Sequence, residues 1–210
     1  MAYDLEEQEQ LAALKGWWRD NGTKILFVVA LVAVAFAAWQ GWRNWQAGQA
    51  RQAGALYESL IAAARADDAK ALRDAAGSLV ENFPRTLYAS MGALASARFH
   101  FDKNDLKSAR AQLQWVVDKS PSDELRDLAR LRLAGLLLDE KAYDEALALL
   151  GAKHAAPMEG QYLALKGDVL VAKNQPADAK AAYRQALEKT DARSAAFRQS
   201  VQLRLDALGG

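Results

Sequence analysis

Cysteine is missing from all 210 residues. Its absence excludes disulfides, thiolate metal sites, cysteine nucleophiles and a lipid-modified cysteine anchor. Histidine is nearly missing: His100 and His154 are the whole supply, thin material for a metal site or a histidine-based catalyst. Neither sign of charge dominates. Lys and Arg number 27 against 26 Asp and Glu, so the strongly basic footprint of a nucleic-acid binder is lacking. Four prolines and 13 glycines stand against 45 alanines. From residue 43 onward, Val, Ile and Thr together supply nine of 168 residues. Strands favour β-branched residues, whereas helices favour Ala, Leu, Glu, Lys, Gln and Arg. The expectation is an all-α protein.

One long apolar run is present. No charge occurs between Lys24 and Arg43, and residues 25–39 read ILFVVALVAVAFAAW. A membrane-spanning helix needs about 20 mostly apolar residues, so 25–42 qualifies at the short end. Five of the six tryptophans bracket it: Trp17 and Trp18 before, Trp39, Trp42 and Trp45 after. Indoles prefer the two membrane interfaces; a buried core helix seldom carries such a belt at both ends. Ala35-Phe36-Ala37 resembles a small-x-small cleavage site, but the preceding region is long and acidic, unlike the short, positive start of a signal peptide. An uncleaved anchor in the lipid bilayer is expected. Lys15, Arg19 and Lys24 outnumber Arg43 and Arg51 beyond the span. This bias favours a cytoplasmic N-terminus and an outward, in a bacterium periplasmic, remainder. Ala33, Ala37 and Gly41 fall at i, i+4, i+8, a small-residue row that would let another helix approach closely.

Residues 1–24 read as a cytoplasmic tail. Within it, 4–15 could form a short helix ended by Gly16, with Leu5, Leu11 and Leu14 among acids and glutamines. Asp20-Asn21-Gly22 reads as a turn and Thr23 as a cap for the membrane helix.

Residues 43–210 carry a repeat. Pro84, Pro121 and Pro157 are 37 and 36 residues apart, each after an Ala/Leu-rich amphipathic stretch. Three segments share a frame: LKSARAQLQWVVDKSP, YDEALALLGAKHAAP and PADAKAAYRQALEKTD. In each, a small residue (Ala109, Ala146, Ala179) precedes a bulky one (Leu113, Leu150, Tyr183) by four. Leu72 holds the equivalent place in an earlier unit, and polar turns precede the later three. A period of this size resembles the tetratricopeptide repeat, a helix–turn–helix of about 34 residues. The likeness covers roughly residues 55–191 and is best in the last unit, where Leu163, Gly167, Leu170, Ala179, Tyr183 and Ala186 sit at pattern positions; Lys166 and Ala134 depart from it. No turn signal separates Trp45 from Tyr57, so the first repeat helix should begin near residue 47, nearly continuous with the span.

Stacked hairpins leave a surface lined by their first helices. The positions facing it would be Met91, Leu94, Arg98 and Phe101, then Leu128, Leu131 and Leu138. They are apolar for a solvated face. They read either as packing positions or as a groove for an extended or helical peptide.

No catalytic constellation is found: no phosphate loop, no HExxH, no GxSxG. His100 reads as a packing or surface histidine in a helix, and His154 as an exposed loop residue. A non-enzymatic protein without cofactor, metal or small-molecule substrate is expected.

The whole pattern resembles one family. WWRDNG before the span, KILFVVALVAVAFAAWQGW within it, and YESLIAAARADD and FPRTLYASMGALASARF after it are similar to the YfgM family, ancillary subunits of the bacterial SecYEG translocon. The resemblance implies a single-pass protein of the bacterial inner membrane with periplasmic repeats. It also implies two partners, the translocon and a membrane-anchored periplasmic chaperone of the prolyl-isomerase type (PpiD). A membrane-anchored scaffold or regulator in envelope assembly or stress signalling is the competing reading.

Overall fold

A computed structural model describes residues 2–209, apart from the side chains of residues 2–6 and 8. The expected place of Leu5 on the tail therefore lies outside the described residues. The described chain is helical, without strands. The elements are α1 (Ala2–Arg65), α2 (Ala69–Asn82), α3 (Leu87–Asp102), α4 (Leu106–Lys119), α5 (Asp123–Asp139), α6 (Tyr143–Leu150), α7 (Glu159–Ala172), α8 (Pro176–Lys189) and α9 (Ala195–Ala207), with a short 3₁₀ turn at Ala156–Met158. Two compact units result, residues 1–49 and 50–210.

The first unit corrects the reading of the tail. Gly16 does not end a helix, Asp20-Asn21-Gly22 is not a turn, and Thr23 caps nothing: α1 runs through all of them. The local groups that signal a turn are used inside the helix instead. The Asn21 amide donates to the Trp17 carbonyl at 3.1 Å. A Cβ at Gly22 would lie 3.2 Å from the Trp18 indole, so that ring covers the glycine. One helical glycine costs only about 0.5–1 kcal/mol, too little to break a helix whose other residues favour it. The expected continuity from the span into the first repeat helix is present in α1.

In the second unit, α1 from residue 50 shares a buried cluster with α2; α3 pairs with α4, α5 with α6 and α7 with α8, and α9 covers the end of the last pair. The turn inside each pair is the same object four times. Asp67, Asn104, Lys141 and Asn174 have φ between 57° and 62°. The residue after each one donates back across five residues, at 2.8–2.9 Å, to Ala63, His100, Leu137 and Leu170 respectively. This is the Schellman ending, in which a left-handed residue lets orphan carbonyls find donors. These turns are spaced 37, 37 and 33, as are Leu72, Ala109, Ala146 and Ala179, all 0% exposed. Leu113, Leu150 and Tyr183 are buried too.

Asp68 and Asp105 then cap α2 and α4 by accepting from Ala71 and Ser108 amides. Thr86 and Ser122 cap α3 and α5 in the same way. Pro84 and Pro121 lie just past α2 and α4, as expected of stop signals. Pro157 does not. Helix α6 has only eight residues and ends at Leu150, and Pro157 sits in the 3₁₀ turn that leads into α7.

Three buried clusters follow the pairs. One joins Leu60, Leu72, Leu79 and Phe99. A central one joins Leu94, Leu113, Val116, Leu133, Leu137 and Leu150. The last joins Leu170, Tyr183, Val201 and Leu205. Trp115 packs against the first two.

Candidate functional site

In the first unit, α1 exposes the large apolar residues of the run after the half-buried Ile25. Leu26, Phe27, Val28, Val29, Leu31 and Val32 are all more than half exposed. This helix is long and apolar enough to cross a membrane, and its most apolar stretch is not buried by any of the described residues. Trp17, Trp18, Trp39, Trp42 and Trp45 are likewise half-exposed. At the second cluster the Arg43 guanidinium lies 4.9 Å over the Trp39 ring, and the Trp42 and Trp45 rings meet tilted, with centroids 5.2 Å apart. A cation over an indole face suits a headgroup layer, where one end is wet and the other apolar. Ala33, Ala37 and Gly41 are exposed on α1, and nothing lies within 4 Å of a Cβ placed at Gly41.

In the second unit, α3 and α5 converge on a pocket of about 370 Å³. Leu94, Arg98 and Phe101 from α3 and Leu138 from α5 line it, four of the expected groove residues. Met91 is 38% exposed, outside it. Leu128 and Leu131 are partly buried and pack on the central cluster. Helix spacing alone could not separate these three from the other four. The pocket wall also has Arg132 and Gly135, which sequence reading passed over. Arg98 is held by Asp102 at 2.9 Å. The lining is apolar with a charged rim, and it holds no nucleophile with a base beside it.

The polar interior lies elsewhere and is structural. Asp127 is 4% exposed. Its carboxylate accepts from Arg130 at 2.7 Å and from the Ala155 amide at 2.8 Å, and its carbonyl accepts from the Tyr162 hydroxyl at 2.7 Å. These bonds fasten the loop between α6 and α7, which accounts for the displaced Pro157. His154 corrects the sequence reading. It is not surface exposed: its side chain is 10% exposed and stacks on Tyr162 at 3.8 Å. Nδ1 lies 2.8 Å from the Ala152 carbonyl and Nε2 2.9 Å from Glu159. A short loop facing a buried acid has few other places to put an imidazole. Burial first, then the Asp127 charge, pushes the Tyr162 phenol up to about 12.

His100 is a buried packing histidine, edge-on to Phe99 at 5.9 Å and 3.1 Å from Asp105. The Ser108 hydrogen bonds hold Asp105 below the usual carboxylate range. Across α7, α8 and α9, Asp168 accepts from Tyr183 at 2.7 Å and from Arg204 at 2.9 Å. Burial raises the Asp168 carboxyl and the Tyr183 phenol. Among the described residues no three acids or histidines gather where a metal could sit.

The sequence pattern of the tetratricopeptide repeat-like domain matches residues 15–210. An ancillary SecYEG translocon subunit of Neisseria gonorrhoeae is 30% identical over 209 residues, covering 99% of this chain and 100% of the relative. The chain belongs to this family of ancillary translocon subunits. Proteins of the same description from Haemophilus influenzae and Escherichia coli are 29% and 26% identical, over 89% and 96% of this chain and 91% and 96% of their own lengths. The family likeness thus takes in both the exposed apolar helix and the repeats. Membership and the uncovered span together make this a membrane-anchored repeat protein.

Proposed function

We propose that this chain is a membrane-tethered, non-catalytic adaptor of the Sec translocon. Residues 25–42 cross the inner membrane, residues 1–24 stay in the cytoplasm, and the repeats stand in the periplasm. The repeats bind a prolyl-isomerase-type chaperone (PpiD), emerging secreted segments, or both. The observation that carries this reading is the collinear match to the translocon subunit of Neisseria gonorrhoeae over 100% of that relative. The lysine and arginine bias across the span supports the orientation. The row Ala33, Ala37, Gly41 supports lateral helix packing, and the pocket on α3 and α5 supports peptide binding.

The test is photo-crosslinking in cells from probes at Ala33 and Ala37 in the span and at Phe101 and Leu138 in the pocket. The expected products are translocon subunits from the span and a periplasmic chaperone or secreted chains from the pocket. Products drawn only from cytoplasmic proteins would overturn the orientation. Products drawn only from unrelated envelope proteins would overturn the adaptor role.

A further inference from the structure

Gly135 stands in the interior of α5, on the pocket wall. Other helical glycines of the repeats are required by close packing. A Cβ at Gly92, Gly160 or Gly167 would lie 2.6, 2.2 or 2.4 Å from Leu79, Thr190 or Tyr183. A Cβ at Gly135 would meet nothing within 4 Å. Gly77 shares that openness but lies outside this pocket. The fold itself therefore does not need glycine at 135. What the missing side chain does is leave depth in the pocket, between Leu94, Phe101 and Leu138.

The rim has a polarity. Arg132 is exposed and makes no ion pair among the described residues. Arg98, also in the lining, already has Asp102. Asp139 lies at the far end of the same helix segment, seven residues on. Among the described lining residues Arg132 is thus the cation without an ion pair, and Asp139 brings a carboxylate to the same lining about two helical turns along α5. A pocket of about 370 Å³ is at the small end for organic ligands.

We propose that this pocket is a socket for one bulky apolar side chain, of leucine or phenylalanine size, whose neighbour in the bound segment is acidic. The acid meets Arg132, and Asp139 repels a second acid at the opposite end and so fixes the direction of the segment. The inference rests on the peptide-binding role proposed above and names the sequence that role selects.

The test uses the full chain in detergent micelles and a short fluorescein-labelled glycine–serine peptide carrying Phe-Glu pairs. Fluorescence anisotropy compares it with Ala-Glu and Phe-Lys versions. The Ala-Glu peptide should bind roughly tenfold weaker, as for loss of a buried anchor. The Phe-Lys peptide should bind about threefold weaker, the scale of an exposed ion pair. Gly135→Leu should fill the socket and lose Phe-Glu binding, with the thermal midpoint not lowered. Arg132→Glu should reverse the preference between Glu and Lys. Equal binding of Phe-Glu and Ala-Glu peptides by the natural chain, or undiminished binding by Gly135→Leu, overturns the socket. If Gly135→Leu unfolds, Arg132→Glu on the exposed rim decides: an unchanged Glu-over-Lys preference overturns it. Pocket crosslinks to translocon-associated proteins that persist without the peptide preference would sink the socket alone. Loss of those crosslinks would sink the adaptor reading.

Discussion

Lys141 holds a left-handed backbone conformation, φ 62°, at a turn where the equivalent positions are Asp67, Asn104 and Asn174. A residue with a Cβ pays roughly 1–2 kcal/mol there, least for Asn and Asp, whose short side chains bond locally. Replacing Lys141 with Gly should stabilise the repeats by about 0.5–1 kcal/mol. That gain corresponds to a rise of a few degrees in a thermal melt for a domain of this size. Glycines give the opposite pair of outcomes. Gly167→Ala forces a methyl into the Tyr183 ring, 2.4 Å away, and should cost about 1–3 kcal/mol as overpacking. Gly135→Ala meets open space and should gain about 0.5–1 kcal/mol from the helix interior. Denaturant titration of both variants checks the contrast; a loss at Gly135 would mean that the open wall is needed for folding. The glycines look alike in the sequence. What distinguishes them is a ring sixteen residues away in one case and empty space in the other.

At the scale of elements, the loop between α6 and α7 depends on one buried acid. Asp127→Ala leaves Arg130 and the Ala155 amide without their acceptor. The expected cost is about 2–3 kcal/mol, from bonds to a charged group. Hydrogen exchange should quicken at residues 151–158 well before α2 or α3 is affected. Unchanged protection there would show that the loop is held by something else. The helix pairs also predict an alkaline response. Tyr162 is raised from an ordinary 10 to about 12, and Tyr183 is raised in the same direction. A folded state that holds a proton more tightly than the unfolded state is fully favoured below pH 10. It loses that advantage as pH rises toward 12. The double variant Tyr162→Phe, Tyr183→Phe should therefore be less stable at neutral pH but show a shallower alkaline limb in urea melts. An equally steep limb would place the alkaline sensitivity in other groups.

At the scale of the whole molecule, the two compact units meet different surroundings. Residues 50–210 bury their own cores in three clusters. Expressed alone, this part should be soluble and helical, with one cooperative melt. Aggregation or loss of helix would show that it needs the membrane-anchored unit. Changing Ala33, Ala37 and Gly41 together to Leu should weaken association within the membrane, read by co-purification from detergent. It should leave the melt of the repeats unchanged, because those residues touch none of the buried clusters. Full partner recovery would remove the case for that face.

Composition and period were enough to determine the class of fold. Alanine and leucine with scarce β-branched residues leave helices as the favoured elements, and the 37, 37, 33 spacing of Leu72, Ala109, Ala146 and Ala179 marks the same turns that close each pair. An 18-residue uncharged run between tryptophan clusters marks the helix that is long and apolar enough to cross a membrane, because hydropathy depends on residue type and hardly on neighbours. Only the tertiary structure decided the rest. Asn21 and Gly22 signal a turn locally, yet Trp17 and Trp18 engage them inside one helix. His154 reads as exposed until Tyr162 and Asp127 arrive from other helices. Leu94, Phe101 and Leu138 share a pocket that Leu128 and Leu131 do not line, and Gly135 leaves open space on its wall. Asn21 and Gly22 find their partners one helical turn back; in the other cases the outcome turns on contacts between groups on different elements. Such contacts depend on packing, which no local pattern records.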